Sequence, residues 1–290
     1  MLHWQLGDIG IGRIVESEGP DFEPLAFFPQ TRAEDWEAHR GWMQPRAMDP
    51  ATGRLVLCIQ SFLLRTRHHT IVVDTCVGCR KPRSPKIFPA AWDMAASEHW
   101  LQRLAAAGVR PEDVDYVMCT HLHADHVGWN TRLVDGRWVP TFPNARYLIS
   151  QRELEFWQQE RRPKLRASFE DSVLPVVNAG LAQLVRSDFA LDDEVWLEPT
   201  PGHTPDHFSV RLRSGGHDAV ISGDLMHSPV QCREPDWNSI GDFDAGQARR
   251  RAARSWNAIA TARPWCAAHT SIRCPPAAWS RMATASPSPT

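Results

Sequence analysis

Three imidazoles and a carboxylate fall within six residues at His121-Leu122-His123-Ala124-Asp125-His126, directly after the apolar run 114–119. In an extended segment side chains alternate, so His121 and His123 point to one side and can grip one ion together. Asp125 and His126 lie at the turn that follows and can reach a second ion beside the first. Neutral imidazole and carboxylate suit zinc and similar divalent metals. A zinc site wants about four ligands, one of them water when the site is catalytic. Six residues cannot fill two such shells, so more ligands must come from later in the chain. Three positions qualify: His203 in the turn-rich stretch 200–207, Asp224 in Ser222-Gly223-Asp224, and His269 after the apolar run 265–268. Each closes a strand-like run, where loops collect to build sites.

The elements that must position these residues read as a mixture of strands and helices. Residues 55–64 and 70–74 are β-rich and separated by a short polar turn, which predicts a hairpin. Residues 79–92 carry Pro82, Pro85 and Pro89 and read as a loop. Ser97 can cap a helix that runs through Leu104 and stops at Gly108. Ser150 can cap another, with Glu153 three residues on as in a capping box. A helix over 168–179 is imperfect because of Pro175. Strands are expected near 146–149, 184–186, 195–198, 208–212 and 219–222, and a last helix over about 244–261. No linker splits the chain, so residues 1–290 read as one domain with sheets packed between helices. Within it, 1–54 is an N-terminal extension that would lie over the site as a lid.

Composition narrows the function. The chain has 290 residues, with 42% apolar and 23% charged residues and a net charge of −2. That is ordinary for a globular protein and excludes collagen, coiled coil and wholesale disorder. Near-zero charge gives no electrostatic footprint for nucleic acid. No apolar run approaches the ~18–20 residues of a membrane span. The first residues lack a basic stretch followed by an apolar one, so no secretory signal is expected. With seven cysteines, an odd number, reduced thiols in a cytoplasm follow. Cys76 and Cys79 form a CxxC without a second pair and read as loop thiols; Cys58 and Cys119 read as small core residues.

The ordered set His121, His123, Asp125, His126, His203, Asp224 and His269, with the strand that closes on Asp74, resembles the metallo-β-lactamase fold superfamily of metallohydrolases. The resemblance spans about residues 55–269. It implies an α/β fold, an αβ/βα four-layer sandwich of two mixed β-sheets flanked by helices. It also implies two zinc ions, or manganese, cobalt or iron in their place. His121, His123 and His203 would hold the first metal; Asp125, His126 and His269 would hold the second, with Asp224 bridging both. Two cations lower the pKa of a water between them and polarise the bond under attack. Asp125 would orient that nucleophile and carry its proton to the leaving group. His227, three residues after Asp224, would donate to substrate or steady a ligand.

The surrounding sequence is similar to the lactonase, esterase and organophosphate-hydrolase branch. A dinuclear zinc hydrolase of a lactone or carboxylic ester, with phosphotriesters as a further substrate class, is therefore expected. Its substrate would be small and largely apolar, because the chain has 13 Trp and only 2 Tyr. Trp129 and Asn130, next to the metal motif, and Trp237 are expected in the substrate pocket. Neither nucleic acid nor membrane is an expected partner, and a homodimer is open by analogy. The readings that stay open beside this one are a β-lactam hydrolase, a mononuclear-iron sulfur dioxygenase, and an inactive binding module. After His269 the residues 270–290 carry no strand or helix period and depart from the family's usual ending. They read as a disordered tail or as the product of a frameshift.

Overall fold

Apolar residues alternate along the strands, and the alternation decides which of two cores each side chain enters. In β3 (Leu55–Arg65) Phe62 and Leu64 face one way while Ile59 and Leu63 face the other; in β4 (Thr70–Val73) Ile71 and Val73 oppose Val72. The computed structural model describes residues 3–262 and 265–267, with side chains as far as residue 255. His269 and the 270–290 tail lie outside the described residues.

A seven-stranded sheet has the order β1-β2-β3-β4-β5-β8-β9, with β1 (His3–Leu6), β2 (Ile9–Phe22), β5 (Tyr116–Met118), β8 (Arg146–Ser150) and β9 (Ala182–Val185) around β3 and β4. It is antiparallel from β1 to β4 and parallel from β4 to β9. A four-stranded sheet is formed by β10 (Val195–Pro199), β11 (Phe208–Ser214), β12 (His217–Ile221) and β13 (Trp265–Ala267), the last pair parallel across the helix Ala245–Ala262. A separate hairpin pairs β6 (Thr131–Val134) with β7 (Arg137–Pro140).

The two sheets face each other across a core of Ile71, Val73, Met118 and Leu148 against Leu197, Phe208, Val210 and Ile221. The outer face of the larger sheet packs on helices through Val72, Val117, Tyr147, Trp100, Leu104, Leu154 and Trp157. This is the mixed two-sheet sandwich expected from the sequence. No helix among the described residues is long and apolar enough to cross a membrane.

The hairpin 55–74, the helix His99–Ala106 and the Ser150 cap are present, although that first helix is capped at Glu98, with Ser97 one residue before it accepting the His99 amide. The capping box is not completed: Glu153 turns its carboxylate to the Asp206 amide (2.8 Å) instead of the Ser150 backbone. Two expectations are corrected. The stretch 168–179 is a helix from Pro163–Ser168 that widens to a π-turn over Phe169–Val173 and resumes at Leu174–Asn178. The N-terminal region is only partly an extension, because residues 3–22 form two strands of the main sheet. Residues 24–48 fill a third core with Phe28, Trp36, Met43 and Val230.

The proline-rich loop 79–94 is held by a buried ion cluster. Arg83 donates two bonds to the Asp171 carboxylate (2.7 and 3.0 Å), and Lys81 Nζ donates to Thr131 Oγ1 (2.7 Å) and the Asp171 carbonyl (3.2 Å). Both cations are fully buried, and burial pushes the Lys81 ammonium down to about 7. Removing the one carboxylate leaves cations buried without a counter-charge, which typically costs about 3–5 kcal/mol. Asp171→Asn should lose about that much stability in urea denaturation. A loss below about 1 kcal/mol would show that the cluster does not hold the loop.

Candidate metal centre

β5 stops at Met118, and the motif loop leaves the sheet at its C-terminal end. His123 has extended backbone and caps the single helical turn Ala124–Val127, which carries Asp125 and His126. The ring nitrogens of His121, His123 and His203 converge: His121 Nε2 and His203 Nε2 lie 3.0 and 2.9 Å from His123 Nδ1. Asp224 Oδ2 stands 3.2 Å from His126 Nε2, 3.2 Å from His227 Nε2, 3.5 Å from His203 Nε2 and 3.9 Å from His121 Nε2. Asp125 Oδ2 lies 3.7 Å from His126 Nε2. Three groups of possible ligands overlap here, each with its atoms within 4.8 Å of one another: His121, His123 and His203; His121, His126 and Asp224; and His203, Asp224 and His227.

Three of the remaining ring nitrogens are held by other residues. His203 Nδ1 meets Asp242 Oδ1 at 2.8 Å, and His126 Nδ1 meets Asp74 Oδ2 at 3.0 Å. His121 Nδ1 lies 3.2 Å from Thr120 Oγ1. A carboxylate on the far nitrogen fixes the tautomer and points the near lone pair at the centre, as in many metal sites. His207 works differently: its Nε2 accepts the Asp224 amide (3.0 Å) and its Nδ1 lies 2.8 Å from Thr200 Oγ1. Gly223 makes this possible, since its φ is +55° and a Cβ there would stand 2.5 Å from His207 Nε2.

Burial, reinforced by neighbouring rings, holds His121 and His123 well below the usual histidine range, so both are neutral donors. Burial, helped by the neighbouring His203 ring, pushes His207 down to about 3. At His126 burial is outweighed by Asp224, Asp74 and Asp125, and the ring is held well above the usual range. Asp125 is raised by burial, and Asp224 is lowered because His126 and His227 outweigh its burial. Among the described residues, Asp224 Oδ1 is buried with no hydrogen-bond partner. Neutral imidazoles aimed at one point, and a buried carboxylate oxygen with spare lone pairs, fit a divalent cation by the chemistry of the donors.

The cluster forms the floor of a cavity of about 710 Å³. His123, Asp125, His203, Asp224 and His227 face it from below; Phe22, Phe27, Ile59, Phe88, Trp92 and Phe156 supply apolar walls. Ile240 and Phe243 stand exposed at its rim. That size and lining suit a small, partly apolar molecule.

The structure thus brings His121, His123, Asp125, His126, His203, Asp224 and His227 together, while His269 is not described. The three expected pocket residues are corrected. Trp129 is buried, stacked on Trp100 at 5.7 Å; Asn130 is fully buried and accepts from Thr75 Oγ1 (2.9 Å); Trp237 packs on Trp36, Phe28 and His39. None of the three lines the cavity, because indoles and amides near a folded loop serve its packing first. Asp242 was not expected; its loop has no period, and only the ring of His203, 39 residues away, reveals it.

Comparison with known proteins fits this geometry. Residues 59–264 match the metallo-beta-lactamase superfamily. The chain belongs to that family. It is 26% identical over 174 residues to an N-acyl homoserine lactonase of Bacillus cereus, covering 58% of this chain and 63% of the relative. It is 32% identical over 138 residues to the N-acyl homoserine lactonase AttM of Azorhizobium caulinodans, covering 42% and 46%. The match therefore spans less than two thirds of these relatives' own length. Among solved structures the chain superposes on a probable metal-dependent hydrolase from Staphylococcus aureus (TM-score 0.76, 20% identity, 92% and 91% of the two chains). It also superposes on AidC, a dizinc quorum-quenching lactonase (TM-score 0.72, 18% identity, 93% and 90%). These likenesses show the metallo-beta-lactamase fold.

Loss of the carboxylate behind a metal-binding ring typically weakens metal affinity about 10–100-fold. Asp242→Ala should do so when zinc is titrated against a chromophoric chelator. Unchanged affinity would mean that Asp242 does not orient His203.

Proposed function

We propose that this chain is a metal-dependent hydrolase with a dinuclear zinc centre that opens lactones or cleaves carboxylic esters of small, largely apolar substrates. The observation that carries the reading is the convergence of His121, His123, His203, His126 and Asp224 on the floor of an apolar-walled cavity. The family and its lactonase relatives support it.

His121, His123 and His203 would hold one ion, and Asp125, His126 and Asp224 the other, together with His269. Zinc bound there would acidify water at neutral pH and polarise the carbonyl under attack. The chain's own residues do the rest. Asp125 faces the cavity beside His126, and burial raises its carboxyl, so it can take a proton from the attacking water and pass it to the leaving oxygen. Asp224 is set by the His207 contact to its amide, and its Oδ2 faces the rings of His121, His126, His203 and His227. His227 also faces the cavity and can donate to a substrate oxygen. The aromatic walls exclude water from the acyl group and orient it by apolar burial.

Zinc-loaded protein should hydrolyse members of a panel of N-acyl lactones and aryl esters. Activity should vanish after exhaustive dialysis against a chelator and return with zinc. A fully loaded protein that turns over nothing in the panel would overturn the reading. Asp125→Asn should lower kcat by about 10²–10⁴ with little change in KM; full activity in that variant would remove Asp125 from proton transfer.

A further inference from the structure

β2 breaks register at Glu16. Val15 pairs with Gln60 and Ser17 with Ile59, so Glu16 is the extra residue of a β-bulge. A bulge re-aims a side chain out of the strand's alternation, and bulges gather next to active sites. Here the re-aimed carboxylate meets three N–H donors. Oε2 accepts the Val77 amide (2.8 Å), and Oε1 accepts the Gly78 amide (3.2 Å) and the Trp129 indole (2.6 Å). All three partners are donors, so only a group that accepts on both oxygens suits them. A glutamine would aim its own N–H₂ at one of them.

Those donors belong to two segments that cross beside the metal motif. The Thr75 amide donates to the His126 carbonyl (2.8 Å), the Gly128 amide to the Cys76 carbonyl (2.7 Å), and the Trp129 amide to the Thr75 carbonyl (2.8 Å). The crossing is so close that a Cβ on Gly128 would stand 1.9 Å from the Val77 oxygen. Asp74, at the head of the first segment, holds the His126 ring, and His126 lies in the motif turn. Burial pushes the Glu16 carboxyl up to about 7, against the pull of its three hydrogen bonds. An acid kept there despite burial needs more reason than filling space.

We propose that Glu16 is a positioning residue of the metal centre, clamping the 77–78 turn against Trp129 from the bulge in β2 and so fixing the turn that carries Asp125 and His126. This rests on the reading of the cluster as a zinc centre.

The test is zinc binding, measured without substrate by chelator competition on the full chain. Glu16→Gln, Trp129→Phe and the double variant are compared with wild type, and circular dichroism and thermal melting report whether each is folded. Glu16→Gln should weaken the looser zinc equivalent about 10-fold and leave the tighter one nearly unchanged. Adding Trp129→Phe to it should cost less than the two single effects summed, because both act through one contact. Glu16→Asp keeps the charge on a shorter arm and should lose less than Glu16→Gln. Should Glu16→Gln be too unstable to measure, the Asp variant must still show partial loss of the looser site. Folded variants that bind both equivalents like wild type, with only the melting temperature lowered, overturn the proposal. Wild-type protein that binds no zinc overturns the zinc reading itself, and this proposal with it.

Discussion

The centre depends on one buried carboxylate. Asp74 closes β4 with φ +56°, a left-handed backbone conformation that few residues besides Gly, Asn and Asp adopt. Its oxygens accept the Thr120 amide and the Thr120 hydroxyl, each at 2.8 Å, and face His126 Nδ1 at 3.0 Å. One side chain thereby joins the end of β4, the exit from β5 and the far end of the histidine motif. A strained backbone at such a point is stable only because the surrounding contacts over-determine it. The hydrophobic sandwich supplies that determination: Val73 and Met118 lock the two strand ends side by side in the core between the sheets.

The second half of the centre is built on different principles. His203 and Asp224 come from loops of the smaller sheet, and their placement depends on His207, Gly223 and Asp242 more than on any strand. Apolar packing brings the two sheets together, and polar contacts then set the final angles of rings and carboxylates. Each of those contacts uses a buried donor or acceptor that would be costly if left unmet.

The sequence made much of this legible, for a physical reason. Strands that read as short apolar runs, such as β4, β11 and β12, and the histidine cluster between them carry local signals. β2 was missed because Gly10, Gly12 and Gly19 dilute its alternation and a bulge interrupts it. The β6–β7 hairpin was missed although Asp135-Gly136, both with positive φ, is a strong turn signal. Asp242 and Glu16 were out of reach, since their partners lie far along the chain and no spacing announces them. The expected roles of Trp129, Asn130 and Trp237 failed because nearness in sequence to a ligand says little about which side of a folded loop a side chain takes.

The Asp171 cluster has a consequence for how such a protein diversifies. It moors the proline-rich wall of the cavity to the helices outside the sheet, without touching any ring or carboxylate of the floor. The opposite wall enjoys no such independence, because Asp242 belongs both to it and to the scaffold of His203. Descendants of this sequence can therefore exchange the exposed residues Pro85, Lys86 and Ile87 without disturbing the floor and acquire new preferences. Changes around 238–243 put the reaction itself at stake, so inheritance should be conservative on that side and permissive on the other.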